Sequence, residues 1–269
     1  MKYSVSNIAL PAYHHEDELL KLRELGLVGL EIAPSRAWKD TWHGLSNSDV
    51  EAYRGQIHRA ELSVVGFHSL IFDHPELGLF KDPDIRRDTL HFMAHLSGIC
   101  RDLGGKTLIY GSGRRRGSLS LQSANEEALK FFIDLIPLIE AHDTCFCFEP
   151  LGPNDSDFIN SVNDSLRLVE QINHPSLRMQ LDAKALMENG EEELKSFIAA
   201  KPYLVHFHAN EPKLEVLGSS GLVNHAALGK YLKQVGYTGY VSIEQRMINE
   251  DSAVANVAQS AAVLKECYK

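Results

Sequence analysis

Cysteine is scarce: Cys100, Cys145, Cys147 and Cys267 are the four in 269 residues. No CxxC pair suggests a zinc site, and no spacing suggests a secreted disulfide framework. Cys145 and Cys147 alternate with Phe146 and Phe148 and read as small core residues of one strand. Positive charge is also in deficit. Lys and Arg number 27 against 36 Asp and Glu, a net charge of −9. That argues against a nucleic-acid surface, although one local basic patch would escape the average. No apolar run could span a membrane, and MKYSVSNIAL at the start is too short and too polar for a signal peptide. Neither a GxGxxG after the first strand nor a Walker loop occurs, so nothing favours an open doubly wound sheet. Low-complexity linkers are missing too. These absences leave a cytoplasmic, reducing setting and a small-molecule partner, with no nucleic acid and no membrane.

What is present is a regular alternation. Strand-like runs fall at Tyr3–Ile8, Val28–Ile32, Ser63–Phe67, Thr107–Tyr110, Cys145–Glu149, Arg178–Asp182, Leu204–His208 and Tyr240–Glu244. Helical patterns fall between and after them, at Glu16–Leu25, Asp49–Ala60, Asp84–Leu103, Glu126–Ala141, Asp164–Ile172, Glu191–Ala199, Ala226–Val235 and Ala253–Cys267. Capping boxes are expected at Ser48-x-x-Glu51 and Ser123-x-x-Glu126, and Asp82-Pro83 reads as a cap and first-turn pair. Gly26, Gly104 and Gly236 follow helical segments as C-terminal stops. Strict strand-helix alternation implies a parallel sheet. Eight such units in this length predict a single (β/α)8 TIM barrel over residues 1–269.

In such a barrel the working face is at the C-terminal ends of the strands. Four consecutive ends carry Glu149, Asp182, His208 and Glu244, separated by 33, 26 and 36 residues. Each gap is about one βα unit. Three carboxylates and an imidazole converging on one mouth would repel each other without a cation, and burying an unpaired carboxylate is costly. An oxygen-rich set with one imidazole suits one divalent ion, Mn²⁺ first, with Co²⁺, Mg²⁺ or Zn²⁺ as alternatives. Strand two also ends in a carboxylate, Glu31. His206, two residues before His208, reads as a hydrogen-bonded core histidine.

Taken together, FEPL at Glu149, LD at Asp182, VHFHANE at His208 and GYTGYVSIE up to Glu244 resemble the sugar phosphate isomerase/epimerase superfamily. These are the xylose isomerase-like TIM barrels, and the D-tagatose 3-epimerase group is the nearest in pattern. The resemblance covers nearly the whole chain. It implies that the four residues hold one metal and that Glu149 and Glu244 form an acid-base pair on opposite faces of a ketose. Proton abstraction next to a carbonyl through a metal-stabilised enediolate would follow. It also implies a homodimer or homotetramer.

The sequence departs from that group at three places. Ala185 stands where a histidine is usual, Leu214 where an arginine is usual, and Asp155 where a longer glutamate is usual. The substrate must then be held differently, or the reaction differs. Lys184 shares strand parity with Asp182 and is either a mouth residue or a solvated lysine. Arg246 shares parity with Glu244 and could grip a carboxylate, phosphate or hydroxyl. GSGRRRG, with Arg114, is either an anion-binding turn or a basic loop held by solvent or salt bridges. His68 and Trp42 are candidates for the pocket wall.

The expected activity is a metal-dependent isomerase or epimerase of a sugar or sugar derivative. The alternative is a lyase on the same scaffold, like an inosose or dehydroshikimate dehydratase. An endonuclease IV-like nuclease is opposed by Ala185 and the acidic charge. A non-catalytic sugar binder is opposed by the retention of both Glu149 and Glu244.

Overall fold

The computed structural model describes residues 1–269. Eight strands, β1 (Lys2–Ser6), β2 (Gly29–Ile32), β3 (Ser63–Phe67), β4 (Thr107–Tyr110), β5 (Cys145–Phe148), β6 (Leu177–Asp182), β7 (Leu204–Ala209) and β8 (Tyr240–Ile243), close in sequence order into a parallel barrel. Closure is made by β1 against β8, with Lys2 opposite Tyr240 and Val5 opposite Ile243. The expected single (β/α)8 TIM barrel is therefore the fold.

The helical layer is richer than strict alternation predicts. It comprises α1 (Glu16–Glu24), α2 (Pro34–Ala37), α3 (Asn47–Arg59), α4 (Pro83–Asp102), α5 (Leu121–Ile139), α6 (Val162–Ile172), α7 (Ala183–Glu188), α8 (Leu194–Ala200), α9 (His225–Gln234) and α10 (Ala253–Cys267). The short α2 and α7 start directly at strand ends, β2 and β6. The helix expected over Glu191–Ala199 is α8, which starts later, at Leu194, and the short α7 precedes it as an extra helix. Two caps are also reassigned. Ser46 with Asp49 forms the box of α3, and Ser120 accepts from the Ser123 N–H at the start of α5. Each true cap lies a few residues before the expected one, because a serine-rich lead-in offers several registers. Asp82 does precede α4, but its side chain makes no capping bond.

Strand parity sorts the two faces. Phe148 packs outward on Phe132, and Phe207 on Phe197 and Tyr268. The apolar core of 64 buried residues is largely this layer between strands and helices. Fully burying each large side chain there contributes ~1.5–3 kcal/mol. The barrel interior is different. Ser4, Ser6, Glu31, Gln180, His206, His208 and Ser242 are all fully buried. TIM barrels usually fill this space with branched aliphatic residues. A polar interior costs free energy unless its groups are paired, so it points to the end of the barrel where function sits.

Candidate metal centre

The opening of the barrel over β5–β8 gathers four candidate ligands. The facing atoms of Glu149, Asp182, His208 and Glu244 lie within 4.8 Å of one another. His208 Nδ1 is 3.3 Å from Glu149 Oε1, 3.4 Å from Glu244 Oε2 and 3.8 Å from Asp182 Oδ2. Local structure sets these positions. Glu149 and Glu244 each follow a strand directly, and Asp182 ends β6 while its Oδ1 caps α7 by accepting from the Ala185 N–H at 2.8 Å.

The neighbours hold these side chains still. Gln180 donates to Glu149 Oε1 at 2.5 Å. Asn210 donates to Asp182 Oδ2 at 2.6 Å and Glu244 Oε2 at 2.9 Å. His68 Nδ1 lies 3.3 Å from Glu244 Oε1, while its Nε2 meets Ser6 Oγ at 2.5 Å. Gly111, just after β4, leaves room for Glu149: a Cβ there would stand 2.1 Å from Glu149 Oε2. A Gly111→Ala variant should therefore displace the carboxylate. A shift of that kind costs up to about a hundredfold in turnover. Steady-state kinetics set beside a melting curve check this; an active site unaffected by the added methyl would refute the cradle.

The electrostatics ask for a cation. His208 Nε2 faces Glu31, at 3.0 and 3.1 Å from its two oxygens. A proton committed to that contact leaves Nδ1 to accept from the Gln180 amide at 3.0 Å, with the three carboxylates 3.3, 3.4 and 3.8 Å away. Burial, then the Glu149 and Glu244 charges, push Asp182 well above the ordinary carboxylate range. Burial would lower His208, but Glu31 and Glu244 outweigh it and push the imidazole well up. Burial would likewise raise Glu244, but the charge and hydrogen bond of His208 hold it well below its usual value. Extra protons thus fill the cluster when nothing else does. Three carboxylates and one imidazole fit a hard or borderline divalent ion in their place.

Glu31 is the residue whose role the sequence did not disclose. It is completely buried between His208 and His206, whose Nε2 is 3.1 Å away. Burial would raise its carboxyl, but the two imidazoles hold it well down. A ligand histidine whose far nitrogen donates to a carboxylate has its tautomer and ring angle set. Glu31→Gln should weaken metal affinity about 10–100-fold. Calorimetric titration of Mn²⁺ reads this directly, and unchanged affinity would remove Glu31 from the role. His206 is a core residue as expected, but it is not well hydrogen-bonded: both ring nitrogens are buried without an aligned partner.

The remaining expected residues divide. His68, Asp155 and Lys184 line a cavity of about 810 Å³ that opens above the ligands. Lys184 reaches it from α7 rather than by strand parity, since β6 stops at Asp182, and it bridges Asp155 at 2.5 Å and Glu188 at 2.9 Å. Three others lie elsewhere. Arg114 is buried and spends its guanidinium on backbone carbonyls, Gly111 at 2.6 Å, Phe158, Ile159 at 3.2 Å and Glu149. Burial pushes it down to about 10. Its neighbours Arg115 and Arg116 donate to the carbonyls of Asn154 and Asp157, so the GSGRRRG loop is a clamp on the β5–α6 loop and not an anion site. Arg246 lies in the loop beyond β8, paired with Glu215 and the Lys213 carbonyl. Trp42 stacks on His43 at 4.6 Å and packs on Phe92 at 5.1 Å, outside the cavity wall.

Comparison with known proteins gives the family and the fold. The family model for the xylose isomerase-like TIM barrel matches residues 19–267. A D-psicose 3-epimerase of Ruminiclostridium cellulolyticum is 24% identical over 168 residues, 61% of this chain and 57% of that protein. A probable ketose 3-epimerase of Synechocystis sp. is 27% identical over 193 residues, 66% of this chain and 63% of that one. Both matches thus span less than two thirds of the relative. The crystal structure of D-psicose 3-epimerase with D-tagatose from Clostridium cellulolyticum H10 superposes with a TM-score of 0.83 at 18% identity, covering 100% of each chain. At that identity the likeness establishes the fold.

Proposed function

The chain belongs to the xylose isomerase-like TIM barrel family, and on that premise we propose that it is a metal-dependent epimerase of a keto sugar or a derivative of one. The observation that carries the reading is the pair Glu149 and Glu244, two carboxylates from different strand ends, 3.3 and 3.4 Å from His208 Nδ1 and lining one cavity. The curated relatives, both ketose 3-epimerases by name, support it.

Glu149, Asp182, His208 and Glu244 would hold the ion, and Mn²⁺ suits this donor set best. Bound there, a divalent ion supplies Lewis-acid polarisation of a carbonyl and its adjacent hydroxyl. The protein's own groups carry the rest. One of the two glutamates removes the proton from the carbon beside the carbonyl, and the resulting enediolate lies between them. The other, which must enter the turnover as the carboxylic acid, gives its proton to the same carbon from the opposite face, which inverts it and leaves the two glutamates with their protonation states exchanged. His68, braced by Ser6, and Asn210 keep Glu244 directed at the cavity. Gln180 does the same for Glu149. Asp155 and Lys184 offer hydroxyl contacts on the far wall. Ala185 and Leu214 make that wall less polar.

The test is to incubate the Mn²⁺-loaded protein with a panel of ketoses in D₂O and follow the sugars by NMR. Deuterium at the carbon beside the carbonyl, in both epimers, is the expected result. Loss of a hydroxyl would make the protein a lyase. No exchange with any keto sugar would sink the proposal.

A further inference from the structure

We propose that the barrel mouth carries a second subsite that binds a glycosyl substituent, so that the substrate is a keto-sugar unit bearing a second sugar ring. This deepens the epimerase reading and rests on it for the reacting unit. A separate cavity of about 320 Å³ adjoins the reaction cavity, and the two share Ser69, Phe72 and Leu214. None of the four candidate ligands reaches it. Its lining combines apolar Ile8, Ala33 and Met247 with polar Ser35, Arg36 and Arg246.

Phe72 stands between the two spaces with 76% of its surface exposed, the most of any large apolar side chain in the protein. Phe72 therefore offers an aromatic surface to both spaces at once. The opposite side of the junction is Leu214. Both it and Lys213 adopt left-handed backbone, with φ of 55° and 61°. Two consecutive non-glycine residues in that region cost free energy and persist only where surrounding contacts enforce them. Those contacts are here: the Arg246 N–H donates to the Leu214 carbonyl at 2.9 Å, and Arg246 Nε to the Lys213 carbonyl at 3.1 Å. The loop is thus tied down in the form that brings Leu214 to the junction.

The lining suits a sugar ring rather than a phosphate. A pyranose has an apolar C–H face for Phe72 and Met247 and a rim of hydroxyls for scattered donors. Arg36 spends its Nη2 on the Leu10 carbonyl and its Nε is buried, so the rim donors are the hydroxyls of Ser35 and Ser69. Arg246 is already neutralised by Glu215. A guanidinium paired as Arg246 is offers single hydrogen bonds, not the forked, unpaired charge that phosphate recognition uses.

The experiment is calorimetric binding to the Mn²⁺-loaded protein of fructose, fructose 6-phosphate, and lactulose and isomaltulose, two disaccharides with a ketose end. Wild type, Phe72→Ala and Met247→Ala are compared after circular dichroism establishes that each is folded. At least one disaccharide should bind about tenfold tighter than fructose, and both substitutions should erase that advantage. Equal affinity for all four sugars, an advantage that survives both substitutions, or tightest binding of the phosphate would each overturn the subsite. Deuterium exchange is read separately on the same samples. Tighter disaccharide binding without exchange would sink the epimerase reading and leave the subsite standing.

Discussion

In the Glu244→Gln protein, the proposed epimerisation should fall by about a thousandfold, within the range that a positioned acid-base group supplies, while a divalent ion should still bind. Glutamine keeps the shape of the side chain and one carbonyl oxygen for the ligand cluster. It cannot accept the proton. The contacts to Asn210 and His68 are of a kind an amide can partly retain. One consequence separates this from general damage. Glu149 is untouched, so for the epimer whose proton faces it, removal and return from that same side still occur. Deuterium should then enter without inversion. The Glu149→Gln protein should show the mirror result with the other epimer. NMR of each pure epimer in D₂O makes the measurement. Undiminished inversion in either variant would show that the two carboxylates are not the acid-base pair.

Asp182→Asn should abolish tight metal binding, with an affinity loss of at least about a hundredfold, as expected when one of a few charged ligands is removed. Asp182 is 3% exposed and sits against Glu149, Glu244 and His208. The fold should survive, because asparagine can keep the cap on α7 that Asp182 Oδ1 now makes to the Ala185 N–H. Wild-type protein should be stabilised by about 2.7 kcal/mol when Mn²⁺ is present at a hundred times its Kd; the variant should not respond. The pH dependence has a definite sign. The folded, cation-free protein holds protons on Asp182 and His208 above their ordinary pH range. An ion must displace them, so wild-type affinity should rise with pH and fall on acidification. Elemental analysis and melting curves with and without Mn²⁺ test both statements. An Asp182→Asn protein that retains one tightly bound ion would show that the ligand set is misassigned.

Some of this was readable before any coordinates. Glu149, Asp182, His208 and Glu244 were legible as one cluster because strand order and strand parity are local properties. Once alternation implies a barrel, every strand end lies on the same rim. The same rule failed one or two residues later. Lys184 and Arg246 were placed by continuing a period-two pattern past Asp182 and Glu244. The chain instead turns into α7 after Asp182 and into a loop after Ile243. Lys184 reached the cavity by a different route, and Arg246 did not reach it.

The sequence by itself determined the number of βα units, the closed parallel sheet and the four side chains at its mouth, since each follows from short-range pattern and from the cost of unpaired buried charge. Only the tertiary structure decided what the loops do. Arg114 became a backbone clamp because the carbonyls of Glu149, Phe158 and Ile159 converge on it from 35 to 45 residues away. Glu31 became the partner of His208 across 177 residues of chain. Phe72 and Leu214 came to flank one junction between two cavities. No local period encodes such meetings; they depend on how the closed barrel brings distant loops over one opening.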